Sequence, residues 1–255
     1  MKSTRSTTST GSATSTGSTG GAVRGARERA RSEITAAIKD EARRQLAAEG
    51  AAKLSLRAVA RELGMVSSAL YRYFPSRDEL LTALIVDAYD AVGAAAERAL
   101  AEAGTPARTA PVARWTAVCT AVRAWALAHP HEYALIYGSP VPGYVAPKAT
   151  VEPASRVGLA LITVARDAHR GPGVALPPLA AELRQEAERI ARDVAPDLPP
   201  ELVVALVAAW SQVFGLISFE VFGQFNRVVE DRDAFFTHSV SRLARESGLV
   251  LAPPR

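Results

Sequence analysis

One cysteine, Cys119, in 255 residues excludes an intramolecular disulfide framework. Alternating β-branched runs are also missing, which argues against a half-buried sheet. No apolar core lies in the first 21 residues, which are almost wholly Ser, Thr, Gly and Ala. That composition is neither a secretory leader nor able to bury a core, so residues 1–21 are expected to form a disordered tail. The motifs of catalysis are absent as well. Gly171-Pro172-Gly173 reads as a linker rather than a phosphate loop, and there is no nucleophile elbow, Cys/His signature or HExxH pair. His129, His131 and Glu132 are the nearest approach to a metal set, but Pro130 breaks any helix between the histidines and no distant Cys/His cluster joins them. The expectation is a chain with no metal, no cofactor and no enzymatic activity.

What the chain has is hydrophobic bulk and skewed charge. Hydrophobic residues make up 48%, enough for a small helical domain and a larger one. Alanine, leucine, arginine and glutamate dominate, and the expected class is all-α. Residues 22–80 carry 12 Lys/Arg against 8 Asp/Glu, whereas the whole chain is only +4. Residues 1–21 add +2, which leaves everything beyond residue 80 at −2. Positive charge concentrated at one end is the electrostatic footprint of a nucleic-acid contact. Arg24, Arg27, Arg29 and Arg31 directly follow the tail and could form a basic arm reaching an adjacent minor groove.

Residues 55–81, SLRAVARELGMVSSALYRYFPSRDELL, carry the most specific pattern. Ser55 suits a helix N-cap, and Leu56, Val59 and Leu63 share one buried face. Gly64 stands where the chain must turn sharply, with Met65 and Val66 giving apolar contact inside the turn. A second helix, capped by Ser67, is expected to run through Tyr73, with Leu70 and Phe74 inward. Pro75 stops it, and Ser76 with Glu79 makes a capping box for the next helix. This is the grammar of a helix-turn-helix. Ser67, Ser68, Ala69, Tyr71 and Tyr73 would face outward without an acid among them. Short hydroxyls and a methyl can reach base edges, and Arg57, Arg72 and Arg77 around them could position phosphates.

These residues resemble the TetR family of bacterial one-component transcriptional regulators. The matching phrases are LRAVARELG at 56–64 and ALYRYFPSRDELL at 69–81, preceded by Ile38, Ala42 and Leu46 at four-residue spacing. The likeness covers about residues 32–86. It departs at Ala51-Ala52, where the family commonly has an aromatic, and in the long N-terminal extension. The resemblance implies a three-helix DNA-binding domain (22–80) and a larger helical domain (81–255) that dimerises and binds a small effector. It places Arg57, Ser67, Ser68, Ala69, Tyr71 and Tyr73 at positions that often face DNA, and Arg77 where a basic residue often grips phosphate. A second, looser resemblance, HPHEYALIYGSP at 129–140 with Trp125 before it, is to a version of the family's C-terminal domain.

Beyond the motif, helices are expected over 32–49, 76–103, 111–128, 130–137, 152–169, 179–194, 202–219 and 231–246. Val157, Leu161, Val164 and Ala168 give the clearest stripe; in the helix over 179–194, Leu183, Ala187, Ile190 and Val194 should face inward. Residues 202–219 carry no charge, which by length alone suits a membrane span. Ser211, Gln212, Ser218 and the lack of Lys/Arg near its start argue instead for a helix buried on several sides. With 231–246 it would form a four-helix dimer interface. Trp115, Cys119, Trp125, Tyr133, Tyr137, Trp210, Phe214 and Phe219 are the candidates to line an effector pocket, for an apolar or aromatic molecule. The function expected is a cytoplasmic, nucleoid-associated homodimeric repressor of a palindromic operator, without a membrane partner. An activator or architectural DNA-binding protein without effector, or a helical enzyme or carrier, are the alternatives.

Overall fold

The computed structural model describes residues 19–106, 109–171 and 173–250, with side chains from residue 25 onward. The tail over 1–18 and the Arg24 side chain lie outside the described residues. Among the described residues the only extended pairing is a single antiparallel bridge, Val174 to Leu249. Everything else is helix and connection. The order is α1 (Thr19–Glu49), α2 (Leu56–Glu62), α3 (Ser67–Leu70), α4 (Arg77–Glu102), α5 (Pro111–Ala128), α6 (Pro130–Tyr137), α7 (Val151–His169), α8 (Arg184–Val194), α9 (Pro200–Val221) and α10 (Arg232–Glu246).

Two apolar cores form, and α4 enters both. The first unites Ile38, Ala42 and Leu46 of α1 with Val59 and Ala60 of α2, Leu70 of α3, Phe74, and Leu80, Leu81 and Leu84 of α4. The second takes Ala88, Val92 and Ala96 further along α4 and joins them to α5, α7, α9 and α10. A rigid helix that belongs to both cores transmits the position of one to the other. Gly93 sets how closely α4 meets α7: a Cβ there would stand 2.7 Å from Arg156 Cβ. Arg156 lies across that gap and holds α4 at two points, Asp90 Oδ1 at 2.7 Å and Glu97 Oε2 at 2.6 Å. Its hydrogen bond lowers the Glu97 carboxyl below its ordinary value.

Several elements differ from expectation. α1 begins at Thr19, well before residue 32. α8 starts at Arg184, after a short 3-10 turn over Ala181–Leu183. Its buried residues are Ala187 and Ala191, with Ile190 partly buried against the second core; Leu183 and Val194 are exposed. α9 is long and apolar enough to cross a membrane by length and composition, with a mean hydropathy of 2.1. Its inner face nevertheless belongs to the second core through Leu202, Val203, Leu206, Val213 and Ile217.

Candidate nucleic-acid interface and effector cavity

Local chemistry builds the reading head. Ser55 Oγ accepts from Ala58 N at 3.4 Å and starts α2. Gly64, at φ 64°, takes the left-handed turn that a Cβ would disfavour, and Met65 N donates to Ala60 O at 2.8 Å to close it. Ser67 does not cap α3. The cap position is Val66, which makes no side-chain cap bond and is 70% exposed rather than packed in the turn. Nor does α3 run regularly through Tyr73. It ends at Leu70 and tightens: Arg72 N donates to Ala69 O and Tyr73 N to Leu70 O. Pro75 explains this, since it drives the residue before it out of the helical region. Ser76 then caps α4 through Glu79 N at 3.1 Å.

The outward face is largely as the spacing requires. Ser67, Ser68, Tyr71 and Arg72 are exposed, while Ala69 and Tyr73 are half-buried. Arg57 is exposed on α2, and neither it nor Arg72 forms an ion pair among the described residues. The Arg31 guanidinium of α1 lies 5.6 Å above the Tyr73 ring. Arg77 is placed differently from a free phosphate anchor. Its Nε donates to Leu54 O at 3.2 Å, and its Nη2 to Ala51 O at 2.8 Å and Ala52 O at 3.3 Å. It ties the start of α4 to the short turn between α1 and α2, so its donors are largely spent inside the protein.

Behind the head, polar contacts join it to the larger domain. Asp87 of α4 receives Lys39 Nζ at 2.8 Å and Arg43 Nη2 at 2.7 Å, both from α1. Arg43 Nε also reaches Glu132 Oε2 of α6 at 3.3 Å. Glu132 is thus a structural ion-pair partner, and His129 Nδ1 lies 2.9 Å from Trp125 O. Among the described residues no group of three His, Cys, Asp or Glu could hold a metal.

A cavity of about 730 Å³ lies between α4, α6 with the loop after it, α7 and α9. Ile85, Tyr89, Leu135, Ile136, Leu159, Ile162 and Leu206 form much of its wall, and no Asp, Glu, Lys, Arg or His lines it. Tyr89 OH donates to Ile136 O at 3.3 Å, and burial raises its phenol above the ordinary value. Tyr144, also in the wall, shares a 2.9 Å hydrogen bond with Thr82, two turns after Ser76 on α4. Thr82 Oγ1 itself donates to Asp78 O, so the proton between them comes from Tyr144.

Of the eight residues expected around a pocket, the wall contains Trp210. The others pack elsewhere. Trp115, Cys119 and Tyr133 are buried in the second core, with Trp125 and Phe214 at its margin. Tyr137 is wedged between Tyr89, at 5.8 Å, and Phe214, at 4.3 Å. Phe219 is 52% exposed and contacts Phe225. Burial pushes the Cys119 thiol well up and the Tyr133 phenol up to about 12, so both stay neutral and serve packing. The real wall is mostly Leu, Ile and Val, which in a sequence look the same as core.

Known proteins with this arrangement agree with one another. Residues 38–84 match the family model described as bacterial regulatory proteins, tetR family, and residues 115–243 match the tetracyclin repressor-like C-terminal domain. The HTH-type transcriptional regulator Rv1816 of Mycobacterium tuberculosis (strain ATCC 25618 / H37Rv) is 42% identical over 208 residues, covering 79% of this chain and 86% of that one. The crystal structure of SCO4313, described as a regulatory protein, superposes with a TM-score of 0.70 at 34% identity, over 85% of this chain and 97% of the other. PfmR from Thermus thermophilus, a TetR family transcriptional regulator, shares the fold at TM-score 0.53 and 17% identity, over 82% and 97% of the two chains. The helix-turn-helix and the helical domain behind it therefore have one common origin: this chain belongs to the TetR family of transcriptional regulators, DNA-binding proteins rather than enzymes.

Proposed function

We propose that the protein is a homodimeric repressor, acting in the cytoplasm on nucleoid DNA, that releases a palindromic operator when a small uncharged molecule enters the cavity. The observation that carries this reading is α4, which builds the floor of the reading head with Leu80 and Leu84 and a wall of the cavity with Ile85 and Tyr89. An occupant that favours a different α4 position would change the geometry of the head. It does so only by as much as its affinities for the two geometries differ. The occupant is uncharged because no charged side chain lines the wall, and burying an ion unpaired costs several kcal/mol, on the order given for real interiors. About 730 Å³ suits a drug-sized, mainly apolar molecule.

Dimerisation is supported by the outer face of α9 and its neighbours. Phe219, Phe222 and Phe235 are exposed there without charge among them, and Phe225 bridges Phe219 and Phe235. Such a surface on a soluble regulator fits a second copy of itself around a two-fold axis, which in turn matches a palindrome.

Selection from a random duplex library with the full chain tests the reading. The expected winner is an inverted repeat bound by one dimer, and Tyr71→Ala, which leaves both cores intact, should weaken that complex by about 1–3 kcal/mol. Sequence-blind binding alone, or equal affinity of wild type and Tyr71→Ala, would remove it.

A further inference from the structure

The basic helix that precedes the reading head is a built part of α1. Ile38 is the first wholly buried residue of α1, with Ile34 partly buried before it. Residues 26–33 are all exposed, so the helix projects past the core. At 3.6 residues per turn, Arg27 and Arg31 stand seven positions before Ile34 and Ile38, two turns earlier on the same face. That face packs against the helix-turn-helix wherever core exists. Where the core ends, its apolar residues give way to arginine. The remaining charges of the segment do not neutralise them: Glu33 falls on the opposite face, and Glu28, three positions before Arg31, forms no ion pair with it among the described residues. Arg29 also lies on the far side.

Arg31 is already docked to the head. Its guanidinium lies over the Tyr73 ring, 5.6 Å from the centroid, in the turn that follows α3. A guanidinium held by cation–π attraction keeps its N–H donors, which lie in its own plane, available to phosphate oxygens. We propose that Arg27 and Arg31 form a second DNA contact, gripping the phosphate backbone beside the bases that α3 reads. The proposal rests on the DNA-binding reading of the head. The partner is duplex DNA rather than another polyanion because the arginine face is continuous with the reading face through the Arg31–Tyr73 cation–π contact.

The test needs no knowledge of the operator. Binding of the full chain to a duplex of arbitrary sequence, about 30 bp long, is measured across a salt series from about 50 to about 200 mM. Wild type is compared with Arg27→Ala/Arg31→Ala and with Arg29→Ala. Each phosphate contact contributes about 0.9 to the slope of log affinity against log salt, so the double variant should lose about 1.8 per protomer, or about 3.6 for a bound dimer. Arg29→Ala should retain the wild-type slope. Thermal unfolding should coincide for all three, since none of these side chains enters a core. A wild-type slope in the double variant, or an equal drop in Arg29→Ala, would overturn the proposal while leaving the reading head in place. Wild type that binds no duplex at any salt would instead sink both.

Discussion

Arg77 shows how one side chain can be right in type and misplaced in role. Its position at the start of α4 suggests a phosphate anchor. The structure gives its donors to the carbonyls of Ala51, Ala52 and Leu54. Those carbonyls belong to a turn whose side chains, two of them alanine, leave room for the guanidinium, and no spacing rule announces such a long-range cap. Arg77→Ala should therefore lower unfolding free energy in urea by about 1.5–3 kcal/mol, the range for hydrogen bonds to a charged group. The salt slope of DNA binding should hardly change. A slope reduced by a full phosphate's share at unchanged stability would return Arg77 to the DNA. Arg57, Ser67, Ser68, Tyr71 and Arg72 need no such correction in placement, because an exposed face of a short motif follows from local periodicity alone.

Some helix ends were legible from a chemical stop. α5 and α6 begin with Pro111 and Pro130 at their first positions and match the expected limits. The outer ends of α1 and α3 differ from expectation. α1 continues upstream without tertiary packing, and α3 is shortened by Pro75, whose influence reaches back through Phe74. The cavity was invisible for another reason: its aliphatic lining comes from five separate helices and the loop after α6, and only their assembly leaves a gap. One inter-helix contact that no stripe predicts is the charged clamp in the second core. Arg123 of α5 meets Glu220 of α9 at 2.6 Å with both side chains nearly buried, and Asp233 of α10 at 2.7 Å at the rim. Glu220 raises the Arg123 pKa further, so the cation persists. Glu220→Ala strands that cation and should cost about 3–5 kcal/mol in urea unfolding. A loss under about 1 kcal/mol would mean that Asp233 and solvent suffice, as at exposed pairs.

At the scale of the whole molecule, charge and grease are segregated. Cations gather around the reading head, while the uncharged outer face of α9 stays open. Placing a carboxylate at both Phe219 and Phe235 on that side should split the proposed dimer and yield a folded protomer that sediments at half the wild-type mass. Retention of the dimer would move the two-fold contact to another surface. The ion pairs among Lys39, Arg43, Asp87 and Glu132 span α1, α4 and α6 and tie the base of the reading head to the helices behind it.

The apolar length of α9 has a consequence for biosynthesis. Its uncharged stretch over residues 202–219 has the length and composition of a membrane segment as it leaves the ribosome. α8, the helix α9 packs against most, stands before it in the chain, as do α5 and α7, while α10, which meets it as closely as α5 does, follows. Vectorial synthesis thus presents α9 to a groove that is already largely assembled. On this order, most of the surface that buries the inner face of α9 is made before α9 itself.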